Sequence, residues 1–150
     1  MGLVDEIGEG PVALDSSVFI YFIEEHPRYL PIVDPLFHAL EVGLLQATTS
    51  TLTLLETLVQ PVRMGNWGLA DRYEDILTDS RGLEMVAIDL ELLRAAASVR
   101  ATTKVKTPDA IQIASAQSTG CRVFVTNDNR LPLIPGLRIL QLDSYQVGLV

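Results

Sequence analysis

Cysteine is almost absent. Cys121 is the only one in 150 residues, so no disulfide can form within the chain, and a reducing cytoplasm is the expected setting. Long apolar runs are missing too, and none would span a bilayer. The acidic opening Met-Gly-Leu-Val-Asp-Glu-Ile has neither the basic nor the apolar region of a signal peptide. Its Met1-Gly2 pair lacks the Ser or Thr that myristoylation wants, because Glu6 stands in that place. Positive charge is scarce: 11 Lys and Arg against 19 Asp and Glu leave a net charge of −8. That balance argues against broad electrostatic capture of nucleic acid. It suits a site that gathers metal ions first, or a partner bearing Lys and Arg. The two histidines, His26 and His38, have no partner at metal-ligand spacing and read as helix-end and surface residues. Repeats, low-complexity tracts and linkers are absent as well, so residues 1–150 read as a single domain with a core of its own.

What the chain does have is apolar residues, 48% of it, with a mean hydropathy of +0.28. That excess hints at a buried interface with itself or a partner. The apolar residues come in alternating patterns. Val12-Ala-Leu is a short strand ending at Asp15, and Ser16 and Ser17 offer a cap for a helix from Val18 to Glu25, broken by His26-Pro27. A second helix runs from Pro31 to about Glu41, with Ile32, Leu36, Ala39 and Leu40 as its stripe and Gly43 as its stop. Leu45 to Thr48 is a weaker strand. Thr49-Ser50 then caps a helix from Thr51 to Gln60 that Pro61 closes. After the turn Met64–Gly68, which holds Trp67, comes a helix of Leu69, Tyr73, Ile76 and Leu77, with Asp71, Asp75 and Asp79 on its solvated face.

Leu83 to Ile88 reads as a strand and Leu90 to about Thr103 as a helix. The next helix is capped by Thr107, has Pro108 in its first turn and ends at Gly120. Arg122 to Val125 is a buried strand that Cys121 opens as a small core residue, and a last strand lies near Arg138 to Leu142. Strands alternate with helices throughout. The expected fold is therefore α/β, a mostly parallel sheet with helices on both faces.

Four acids sit in awkward places. Asp15 ends the first strand and Asp128 the strand Arg122 to Val125; Asp109 opens a helix, where the positive end of the dipole favours an anion. In an open α/β sheet these positions can share the rim where ligands bind. Glu56 lies on a largely apolar helix, four residues after Leu52 and three before Val59. A carboxylate there without a partner costs several kcal/mol or takes up a proton. Each acid also has an ordinary reading: a helix cap for Asp15, a stripe-edge residue reaching water for Glu56, a first-turn charge for Asp109 and a turn residue for Asp128. Acids gathered together repel, and a fold keeps them only with something cationic to bind. Mg²⁺ or Mn²⁺ fits better than Lys or Arg here, and such a site suits phosphodiester hydrolysis.

Asp15-Ser-Ser-Val-Phe-Ile-Tyr-Phe-Ile-Glu, Ser50-Thr-Leu-Thr-Leu-Leu-Glu56, Lys106-Thr-Pro-Asp109-Ala-Ile-Gln-Ile-Ala and Val125-Thr-Asn-Asp128 resemble, in order, the successive motifs of PIN-domain proteins. The likeness covers nearly the whole chain and is greatest to the VapC-type ribonuclease toxins of toxin–antitoxin pairs. It implies a three-layer α/β/α fold and an Mg²⁺- or Mn²⁺-dependent endoribonuclease. The catalytic acids would be Asp15, Glu56, Asp109 and Asp128, with Asp15, Asp109 and Asp128 at the metal. Thr126, Ser16 and Asn127 would be auxiliary. It further implies a homodimer held inactive by a small antitoxin, for which a basic segment is expected here. Two departures stand out: Gln112 occupies a position where many relatives carry His, and the Asn127-Asp128-Asn129 turn leaves open which residue faces the metal. Lys104, Lys106 and Arg130 flank the rim as candidate contacts to the RNA backbone. Two other readings stay open. One is a phosphatase or phosphoacceptor with a nucleophilic Asp15, although that chemistry wants a neighbouring acid and a Lys. The other is a PIN-like module that binds a partner or RNA without catalysis.

Overall fold

The computed structural model describes residues 2–145, so Met1 of the acidic opening lies outside them. In chain order the elements are helix α1 (Leu3–Ile7), strand β1 (Val12–Leu14), helices α2 (Ser16–Ile23) and α3 (Leu30–Glu41), and strand β2 (Ala47–Ser50). Helices α4 (Leu52–Arg63) and α5 (Trp67–Asp79), strand β3 (Leu83–Val86), helices α6 (Leu90–Thr102) and α7 (Thr107–Ser118), and strands β4 (Val123–Thr126) and β5 (Arg138–Gln141) follow. All five strands pair in parallel, in the order β3-β2-β1-β4-β5.

Strands β1 and β4 are buried on both faces, which is why Val12–Leu14 and Val123–Val125 read as unbroken apolar runs, whereas β2 is as buried but mostly hydroxyl-bearing. Alternation within them sorts the core in two. Val12, Leu14, Val123 and Val125 pack under α1, α2, α3 and α5 with Phe19, Leu36 and Tyr73. Ala13 and Phe124 face the other way, onto α6 and α7, with Leu92, Ala96, Val99, Ala110 and Ile113. The result is the three-layer α/β/α arrangement expected from the sequence. No helix among the described residues is long and apolar enough to cross a membrane.

Several boundaries differ from expectation, each for a tertiary reason. Thr49 and Ser50 do not stand at the cap position of a helix. They extend β2, because Met85 and Val86 of β3 lie opposite them, and Thr51 stands at the cap position without a side-chain bond. The Ser50 hydroxyl still accepts from the Leu52 amide at 3.0 Å, the part of the expected cap that is present. Pro61 does not close α4, which continues through Val62 to Arg63; in the last turn the amide hydrogen that proline lacks costs a single bond of the ladder. Helix α2 starts two residues early because Asp15, rather than Ser16 or Ser17, caps it. Lys106 rather than Thr107 stands at the cap of α7, and the Thr107 hydroxyl accepts from Arg100. Trp67 is not in a turn but opens α5, mostly exposed, behind an Asn66 side chain that caps the helix through the Leu69 amide. Helix α1 carries no sequence signal of its own length; Leu3 and Ile7 bury against the first core, and the Arg138 guanidinium donates to the Glu6 carbonyl.

Candidate active site

The sheet has a switch point. From β1 the chain crosses to β2 on one side, and from the neighbouring β4 it passes to β5 on the other. Ligands in open α/β sheets bind in the crevice that opens there, beyond the carboxyl ends of the strands. A cleft of about 570 Å³ occupies this place, lined by Asp15, Ser16, Tyr21, Glu56, Lys106, Asp109, Asn127, Asp128 and Arg130 among others. All four acids singled out in the sequence therefore line one cleft. Lys104 does not line it; with Lys106 and Arg130 it lines an adjoining hollow that Asp109 and Asp128 also border.

Asp15 lies at the base. Its backbone amide donates to the Val125 carbonyl, which ties the end of β1 to β4. One carboxylate oxygen accepts from the Ser17 amide at 3.0 Å and from the Ser17 hydroxyl, so Asp15 is the helix cap. The other oxygen accepts from the Thr126 hydroxyl. Thr126 in turn accepts from the Asp128 amide at 3.0 Å, so one buried hydroxyl joins two of the acids. Burial nonetheless pushes the Asp15 carboxyl above the usual carboxylate range, against the lowering pull of these donors.

Glu56 enters from α4 and is half-buried. Its carboxyl is also pushed up, first by burial; Gln112 opposes this, and the charges of Asp15 and Asp109 add to it. Asp109, in the first turn of α7, is raised by burial and by the charge of Asp128, with Arg130 and Lys106 pulling the other way. Asp128 is the exception. Arg130, two residues on, donates to its Oδ1 at 3.0 Å and its Oδ2 at 3.2 Å and holds its carboxyl below the usual value. That guanidinium is 76% exposed, and exposed pairs of this kind are weak and readily exchanged. Asn127 turns toward Tyr21, donating to its hydroxyl at 3.1 Å, while its own Oδ1 is buried without a partner.

A divalent cation fits this donor set by chemistry. Every donor is a hard oxygen, and among the described residues no Lys or Arg forms an ion pair with Asp15, Glu56 or Asp109. Spacing sets a limit: among the described residues no three His, Cys, Asp or Glu side chains come close enough together to hold a metal ion.

Residues outside the charged set complete the site. Gln112 donates to Glu56, and behind it lie Thr53 and Thr49, all buried. Their signal in the sequence is spacing: Thr53 is three residues before Glu56 and Gln112 three after Asp109, each on the same helix face as an acid. Tyr21 and Ser17 also line the cleft; the sequence offers Ser17 only as a helix-cap candidate and gives Tyr21 no role. His26 packs against Tyr21 and Tyr29, and Cys121 is a small buried residue beside Thr48 and Thr119, so both are structural.

The family model for the PIN domain matches residues 12–137. Among solved structures with the same fold is a toxin–antitoxin complex from Klebsiella pneumoniae, 20% identical, with a TM-score of 0.67 over 91% of this chain and 100% of that one. VapBC2 from Rickettsia felis, bound to a DNA fragment from their promoter, is 16% identical with a TM-score of 0.68, covering 87% of this chain and 97% of the other. Mycobacterium tuberculosis VapC20, described as a sarcin–ricin loop cleaving toxin, is 15% identical with a TM-score of 0.65, covering 80% and 92%. A search among curated protein sequences gives no match.

Proposed function

The chain belongs to the PIN-domain family, and from that premise we propose that it is a metal-dependent endoribonuclease, the toxin of a toxin–antitoxin pair. The observation that carries the reading is electrostatic. Three carboxylates from three separate elements, Asp15, Glu56 and Asp109, line one cleft with their proton affinities raised. A fold tolerates such a cluster when it has a cation to receive. Asp15, Asp109 and Asp128 would hold Mg²⁺ or Mn²⁺, directly or through water, with Asp128 preferred to Asn127. Such an ion, when bound, polarises the phosphate, lowers the pKa of water and stabilises the leaving oxygen.

Glu56 would orient the attacking water and take its proton. Thr126 keeps Asp15 and Asp128 in register, and Ser16 and Asn127 line the place where substrate and water enter. Arg130 would leave Asp128 for a phosphate of the RNA, with Lys106 and Lys104 along the same path. An acidic surface elsewhere disfavours indiscriminate RNA binding. It also favours an antitoxin whose basic segment lays Lys or Arg over the cleft.

Homodimerisation is part of the proposal. Leu55, Val59, Val62 and Met64 on and after α4, with Trp67 beyond them, stand exposed on a helix that carries Glu56 on its buried side.

The test is cleavage of RNA with added Mn²⁺. Activity should vanish with EDTA and fall at least 100-fold in Asp15→Asn and in Asp109→Asn, the scale on which removing a general base or a key electrostatic group acts. Cleavage that persists in both variants removes the site. The spacing of the acids favours one other reading, a binding module without catalysis. Its signature would be no cleavage at any Mn²⁺ concentration, with retained binding of a Lys- and Arg-rich peptide.

A further inference from the structure

Beneath the acids lies a run of polar side chains that water scarcely reaches: Thr49 is 2% exposed, Thr53 0% and Gln112 5%. Polar groups so placed need partners, and here their hydrogens can be assigned one at a time. The Thr49 hydroxyl has a single hydrogen, which it donates to the Leu14 carbonyl at 2.8 Å. In its 2.7 Å contact with Thr53 it can then only accept, so Thr53 donates. With that hydrogen committed, Thr53 accepts from Gln112 Nε2 at 2.9 Å. The second Nε2 hydrogen goes to Glu56 Oε1 at 3.2 Å. The chain runs one way, and it decides which end of the Gln112 amide meets Glu56. The amino end does.

We infer that Gln112 is the positioning residue for Glu56, its amide oriented by the Thr53–Thr49 relay that ends on the carbonyl of Leu14. Leu14 is the residue before Asp15, so the relay couples an acid on α4 to the strand that carries an acid of the sheet. Without it, a half-buried glutamate on a helix facing a water-filled cleft has rotamers to explore and no reason to prefer the one that faces Asp15. The inference rests on the proposed role of Glu56 in catalysis.

Side-chain amide NMR of the full chain tests the relay independently of activity. Gln112 should give two separate, slowly exchanging amide protons. Glu56→Ala should move one of them, and Thr53→Val, which keeps the shape of the side chain, the other. Gln112→Met keeps length and burial and removes both donors. It should lower kcat for RNA cleavage by roughly 10- to 100-fold, the usual effect of losing an outer-shell partner. KM should stay within about twofold, because only an interaction made in the transition state is lost. A freely exchanging, unperturbed Gln112 amide overturns the inference, as does a Gln112→Met enzyme with wild-type kcat. Should Gln112→Met misfold, the Glu56→Ala spectrum decides alone. If the wild-type protein cleaves no RNA while its amide protons behave as stated, the nuclease reading falls and the tie between Gln112 and Glu56 stands.

Discussion

Glu56 shows how one side chain sets protein stability against site chemistry. Its carboxyl is pushed above the ordinary value by burial and by its acidic neighbours. Between the ordinary value and the raised one, the folded state holds a proton that the unfolded chain has lost. Stability from this group is therefore fully present below the ordinary value and disappears as pH rises through the raised one. Glu56→Gln removes that loss and still lets Gln112 donate. In urea titrations its advantage over the wild type should grow from pH 4 to pH 7; a constant or shrinking difference would contradict the shift. Asp128 has the opposite sign, since Arg130 lowers it, and its contribution is lost only as pH falls through the lowered value. At this scale the charges are legible in the sequence, because an acid at a strand end or on an apolar helix is anomalous wherever it falls. Gln112 stands out only by position, three residues after Asp109 on the same helix face; the contact its amide makes is not legible until its neighbours are known. Nor is the pairing of Arg130 with Asp128, which depends on a turn bringing together residues only two apart.

Elements are legible where caps and periodicity agree. Helix α6 is capped by Asp89, whose side chain accepts from the Leu92 amide at 2.8 Å, and it packs its Leu92, Ala96 and Val99 face into the core shared with α7. Asp89→Ala should cost about 1 kcal/mol, the ordinary worth of such a cap. In a chain of this size that is roughly 2–4 °C in Tm by calorimetry, and Asp89→Ser should restore most of it. Where expectation and structure part, the deciding contact is remote in sequence. Met85 and Val86 draw Thr49 and Ser50 into a strand, with only the Ser50 hydroxyl left to serve the start of α4. The end of α4 lies beyond Pro61, with the Asn66 amide closing onto the Pro61 carbonyl. The five residues of α1 become a helix only against the first core and β5. Local propensity has no access to any of these.

For the whole molecule, the proposed dimer and the proposed site share α4, which buries Thr53 and Thr57 on one side and leaves Leu55, Val59 and Val62 in the open. Light scattering on the purified chain should give the mass of two copies, and Val59→Asp should give that of one. If the substitution leaves the mass unchanged, this face is not the contact. Parallel pairing of every strand was readable from the alternation of strands and helices; the strand order was not, since it depends on which crossover passes β1. That order has a consequence for motion. β1 is the middle strand, laced to a neighbour along each edge, whereas among the described residues β3 and β5 each have one side unpaired. Native proteins open from their margins inward, and the innermost ladder gives way last. The carboxylate with most to lose from a wandering backbone, that of Asp15, hangs directly from that ladder, while Arg130 belongs to a loop at the rim.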